Sequence, residues 1–100
     1  MPTYILLTKL APEVIGDVKH REAIGRKWKK SIAEKCPGAH FLSHYALLGP
    51  YDFLDIYEAP NEEVAAKVSV ITQQLGAVKA ESWTAIEYTR FLDLMDEISG

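Results

Sequence analysis

The hydropathy pattern changes period several times along the chain, and each change marks an element. Thr3–Leu10 is nearly all apolar, β-branched or aromatic, as expected of a central strand covered on both faces. Pro12 is tolerated in a first helical turn, and Glu13 suits the positive end of a helix. Val14, Ile15 and Val18 suggest one short helical turn. Gly16 weakens it, so the main helix is expected to begin near Asp17. From Asp17 to Lys35 the apolar residues Val18, Ile24, Trp28 and Ile32 recur at helical spacing, with Lys and Arg on the other faces. Cys36-Pro37-Gly38 ends that helix, because proline cannot continue the ladder and glycine accepts the reversal.

Residues 41–58 switch to the period of strands and fold back at Gly49-Pro50 as a hairpin. After Ala59-Pro60, Asn61 is a natural N-cap, and Glu62 and Glu63 suit the first turn. Val64, Val68, Ile71 and Leu75 form an apolar stripe that Gly76 closes. Val78–Glu87 alternates and reads as a fourth strand. In the tail, Phe91, Leu94, Met95 and Ile98 lie at helical spacing, so residues 91–100 are expected to form a short C-terminal helix or a fraying end.

The order β-α-β-β-α-β is the split βαβ of ferredoxin-like α+β folds, two helices on one face of a four-stranded antiparallel sheet. Residues 1–100 fit a single domain, with no repeat or linker. If Gly49-Pro50 is a two-residue turn, the hairpin pairs Leu48–Tyr51, Ala46–Phe53, His44–Asp55 and Leu42–Tyr57 on one face. The other face pairs Leu47–Asp52, Tyr45–Leu54, Ser43–Ile56 and Phe41–Glu58, and a bulge would shift this register. Tyr45, Leu47, Leu54 and Ile56 suit the face under the helices. Leu42, Ala46, Leu48, Tyr51, Phe53 and Tyr57 would then be left bare, a patch that a second copy of the sheet would cover in a homodimeric barrel.

Composition narrows the class without naming a function. With 48% hydrophobic and 25% charged residues the chain is an ordinary globular one, and no apolar run approaches the roughly 20 residues of a membrane helix. No leader pattern opens it. One cysteine makes no intrachain disulfide, so a reducing, cytoplasmic setting is expected. The net charge of −3 is uneven: residues 1–50 hold eight Lys/Arg against four Asp/Glu, and residues 51–100 hold three against ten. The cations cluster between Lys19 and Lys35, but Glu22 and Glu34 interrupt them. A solvated helix face is favoured over a nucleic-acid partner.

One constellation could carry chemistry. His44 and Asp55, as direct cross-strand neighbours, would have Cβ atoms about 5 Å apart, close enough for a carboxylate to orient an imidazole. With Tyr51 and Tyr57 nearby they could form a ligand-binding or general acid/base site. The competing reading is a buried polar pair that only satisfies itself. Asp52 is expected to bind backbone N–H groups at its turn, Tyr51 to anchor by its ring, and Gly49 to serve backbone conformation. His40 and His44 would lie about 13 Å apart along a strand, too far for one ion, so no metal or cofactor is expected. Cys36 reads as an apolar filler, and Trp83 as a core residue, a cavity wall or a dimer contact.

The opening Met1–Leu10, Leu48-Gly49-Pro50-Tyr51-Asp52-Phe53, Glu58-Ala59-Pro60, and Leu75-Gly76 with a strand carrying Glu81 resemble the GYD domain family over roughly residues 1–90. The resemblance implies a ferredoxin-like fold in a dimeric α/β barrel and places Gly49, Tyr51 and Asp52 on the naming motif. It implies little about activity. Ala11 replaces a usual capping Thr, and Asp55 a usual apolar residue. Two functions follow as expectations. The first is a small homodimeric ligand-binding or regulatory module, favoured because no diagnostic catalytic motif is present. The alternative is a cofactor-independent oxygenase or isomerase using His44 and Asp55.

Overall fold

The computed structural model describes residues 1–100. Its elements are β1 (Thr3–Leu10), α1 (Pro12–Ile15), α2 (Val18–Lys35), β2 (His40–Ala46), β3 (Phe53–Glu58), α3 (Glu62–Gln74), β4 (Ala77–Ala85) and α4 (Tyr88–Ser99). The sheet is four-stranded and antiparallel in the order β2-β3-β1-β4, a topology compatible with the split βαβ. β1, the most continuously apolar segment, lies inside the sheet as its pattern requires. No helix is long and apolar enough to cross a membrane.

The helix ends follow local chemistry. Asp17 caps α2 by accepting from the His20 N–H at 3.0 Å, and Asn61 caps α3 by accepting from the Val64 N–H at 3.0 Å. Ala11, at the N-cap of α1, offers no side-chain acceptor, and that helix is four residues long. Gly76 follows α3 with φ 101°, the one residue with positive φ. Its missing side chain also makes room, since a Cβ there would sit 3.3 Å from both Ile24 Cδ1 and Val14 Cγ2.

The core joins Tyr4 and Leu6 of β1, Tyr57 of β3 and Ala80 of β4 to Ile32 of α2 and Ala65, Val68 and Ile71 of α3. Val68 is fully buried, worth about 1.5–3 kcal/mol. Cys36 fills a gap at the end of α2, where burial pushes its thiol pKa up. Within the apolar stripe expected of α2, Ile32 is buried and Val18 is exposed.

Three hairpin details differ from expectation. The strands end at Ala46 and Phe53, so the connection is longer than Gly49-Pro50, although the Leu47 N–H still donates to the Asp52 carbonyl at 2.9 Å. The pairs Ala46–Phe53, Tyr45–Leu54, His44–Asp55 and Ser43–Ile56 form as expected. A bulge at Leu42 then shifts Phe41 opposite Tyr57 and His40 opposite Glu58.

The third difference is the face. Tyr57, Asp55, Phe53 and His44 lie under the helices, whereas Tyr45, Leu54 and Ile56 lie on the bare side. Both faces of the hairpin are similarly apolar, so pairing fixes the register without choosing the side. The bulge puts Phe41 on the helix side as well, stacked on Tyr57 at 4.8 Å. Gly49 has no positive φ, and a Cβ there would meet nothing, so neither conformation nor crowding requires a glycine.

Candidate functional site

A cleft of about 510 Å³ opens between α2 and the sheet. Its floor is built by the helix-side residues of β1 (Leu6, Thr8, Leu10) together with Phe53 and Asp55 of β3. α2 supplies the roof with Arg21, Ile24, Gly25 and Trp28, and Val14, Leu75 and Ala77 close one end. The lining is mainly apolar, with a few polar groups converging on it, the usual make-up of a small-molecule site.

Trp28 is held in place from two sides. Its Nε1–H donates to Thr72 Oγ1 at 2.8 Å, and the Thr72 hydroxyl donates in turn to the Val68 carbonyl at 2.7 Å. The indole meets Phe41 edge-on at 5.0 Å, starting an aromatic row that continues through Tyr57 to Tyr4, whose ring lies 5.5 Å from that of Tyr57.

His44 and Asp55 form the polar centre. Nδ1 of His44 lies 2.6 Å from Oδ1 of Asp55. The Asp55 side chain is 6% exposed and that of His44 is 62% exposed, so the imidazole stands between the carboxylate and water. Burial raises the Asp55 pKa, and the hydrogen bond from His44 opposes that shift without cancelling it. Facing an ionised Asp55, His44 donates from Nδ1, which leaves Nε2 for another partner. The imidazole also stacks on Phe53 at 5.0 Å, and the Arg21 guanidinium lies 5.6 Å from the same ring. An oriented imidazole beside an apolar cavity can accept a proton or hold the polar end of a ligand.

The two tyrosines stand elsewhere. Tyr57 shares the helix side of β3 with Asp55 but is buried, and its hydroxyl pairs with Ser82 Oγ at 2.7 Å. Burial pushes its pKa up to about 12. Tyr51 crosses the opposite face, where its hydroxyl donates to the Glu81 carboxylate. The Trp83 indole donates to the other oxygen of Glu81 at 3.1 Å. The Tyr51 and Trp83 bonds lower the Glu81 pKa, and the bond to Glu81 raises that of Tyr51. The Asp52 carboxylate accepts not, as expected, from an N–H of its own turn but from that of Leu10 on β1 at 2.7 Å, while the Asp52 N–H donates to the Thr8 carbonyl at 2.8 Å. Tyr51 and Asp52 thus tie the hairpin tip to β4 and β1.

Sequence reasoning paired His44 with Asp55 but missed Arg21, Phe53 and Thr72 as parts of the cleft. Arg21 sits among the cations of α2 and has no local mark that separates it from its solvated neighbours.

The GYD domain model matches residues 4–95, nearly the full length of the chain. The chain belongs to the GYD domain family. A GYD-type relative from Thermus thermophilus, the "glutamine synthetase and cystathionine beta-lyase binding protein", is 33% identical over 87 residues, covering 86% of this chain and 90% of the relative. No solved structure matches the chain. In this chain Gly49, Tyr51 and Asp52 lie at the hairpin tip, and His44 and Asp55 lie on the other side of the sheet from Tyr51.

Proposed function

We propose that this GYD protein is a small homodimeric binding and regulatory module. Its cleft takes an apolar small molecule whose polar end meets His44 and Asp55. The observation that carries this reading is the 2.6 Å pair at the edge of a mainly apolar cavity of about 510 Å³. A buried carboxylate is costly, and a site that only needed packing would do better with an apolar residue at Asp55. The name of the Thermus thermophilus relative supports a regulatory role in which partner proteins, enzymes among them, are bound. The homodimer would use the bare face of the sheet, where Ile5, Tyr45, Leu54, Ile56 and Trp83 gather across paired strands.

The free Nε2 of an oriented His44 favours a second reading, a cofactor-independent isomerase or oxygenase. His44 would take a proton from an apolar carbonyl or aromatic substrate while Asp55 steadies the imidazolium.

Native mass spectrometry of the purified protein tests both readings. A small molecule retained by the wild type should be lost from His44→Ala and Asp55→Asn proteins. Undiminished retention in both variants would remove the site from His44 and Asp55. Turnover of the released compound by the wild type, absent from His44→Ala, would select the enzyme reading.

A further inference from the structure

α4 is the one long helix that buries nothing. Phe91, Leu94, Met95 and Ile98 form a stripe along it at i, i+3, i+4 and i+7. An isolated helix of about 12 residues is marginal in water. Its local support is the cap from Glu87 to the Arg90 N–H at 3.1 Å and an exposed Arg90–Glu97 ion pair at 3.7 Å. Such a helix needs an apolar surface to lie on.

Its own domain does not supply that surface. The molecule measures 55 × 30 × 18 Å, and 18 Å is the depth of one sheet and one helix layer, leaving no third layer across the bare face. The radius of gyration is 15.3 Å, against about 13 Å for a compact domain of this length. α4 therefore projects beyond the sheet, while the face carrying Tyr45 and Trp83 stays open.

We propose that α4 docks on a second copy of this chain, exchanged reciprocally across the two-fold axis so that each sheet face is flanked by the partner's helix. This rests on the sheet-face dimer proposed above and adds the element that completes it. Area is the first argument. Four strands about 4.8 Å apart and about 23 Å long present a footprint of roughly 450 Å², and two such faces bury less than the approximately 1,200 Å² at which specific interfaces begin. The apolar side of α4, about 18 Å by 10 Å, adds roughly 180 Å² per copy and carries the interface past that threshold.

Charge is the second argument. Lys9 and Lys79 pair across β1 and β4 on the bare face, where neighbouring Glu81 is already engaged by Tyr51 and Trp83, and α4 brings Asp93 and Asp96 beside an Arg90 that Glu97 already pairs. A two-fold axis satisfies both copies at once and closes the assembly at two.

The test uses the full chain. Sedimentation equilibrium of a Phe91→Asp, Leu94→Asp double variant should show the dimer dissociation constant raised at least about thirtyfold over wild type. Val70→Asp, on the exposed side of α3, should leave it unchanged. In a mixture of ¹⁴N- and ¹⁵N-labelled protein, zero-length carbodiimide links from Asp93, Asp96 or Glu97 to Lys9 or Lys79 should join light to heavy chains. A dimer insensitive to the double variant would overturn the exchange and leave the sheet dimer standing. Links confined to single chains would place α4 on its own sheet and overturn it as well. A wild type that sediments as a monomer at micromolar concentration would remove both the exchange and the dimer.

Discussion

Asp55 is the carboxylate that β3 carries under the helices, and its raised pKa follows from the water it has lost. The consequence for stability has a definite sign. A folded-state pKa above the unfolded value means that the native state binds the proton more tightly. The stabilising contribution is then complete below the unfolded value, about 3.9, and is lost as pH rises through the raised native one. Asn at this position has nothing to titrate. The melting temperature of Asp55→Asn minus that of wild type should therefore become more positive across that window and level off above it. Thermal melts at half-unit pH steps would show this, and a flat difference would mean that Asp55 titrates as a solvated group. Asp52, three residues away, has a different role. Its carboxylate accepts the Leu10 N–H beside the register shift at Lys9–Leu10, where the ladder supplies no regular partner. Two aspartates three residues apart thus divide into one that ties the hairpin to β1 and one that lies buried beneath His44 at the cleft.

At the scale of elements, strand and helix identities were legible because each period was clean. β1 is apolar throughout, α3 has a single stripe between Asn61 and Gly76, and the cross-strand pairing from Ser43 to Ala46 follows from the turn. The side of the sheet was not legible. Tyr45, Leu54 and Ile56 carry about as much apolar surface as Phe53, Tyr57 and Ala46, and the first set was expected beneath the helices. What reverses that judgement is the gap between α2 and the sheet, a tertiary feature that needs Trp28 propped on Thr72 and Phe41. The bulge at Leu42 was equally invisible, since no glycine or proline marks it. The same gap depends on Gly76, which lets the chain leave α3 between Ile24 and Val14. Gly76→Ala combines an unfavourable positive φ with two contacts at 3.3 Å, and should destabilise the protein by about 1–3 kcal/mol in urea melts. An unchanged midpoint would show that the helix end relaxes freely.

For the whole molecule, the sheet separates two surfaces of different make-up. His44 and Asp55 line the cleft on the helix side, and Tyr45, Trp83 and the Tyr51–Glu81 bond occupy the other side, the face proposed for a partner copy. Ligand and dimer should therefore respond to different substitutions. Tyr45 is exposed on β2, pairs with Leu54, and contributes nothing to the core of its own chain. Glu at this position leaves the isolated domain intact but puts an unpaired carboxylate into a surface that must desolvate on pairing. Tyr45→Glu should hence sediment as a monomer at concentrations where the wild type is dimeric. It should lose no more than about 0.5 kcal/mol of intrinsic stability, and still carry whatever the wild-type cleft retains. Loss of the retained compound together with the dimer would mean that the cleft is completed by the partner, and the separation of the two faces would fail. A dimer that survives the substitution would move the interface off Tyr45 and Leu54, the cross-strand pair on that face.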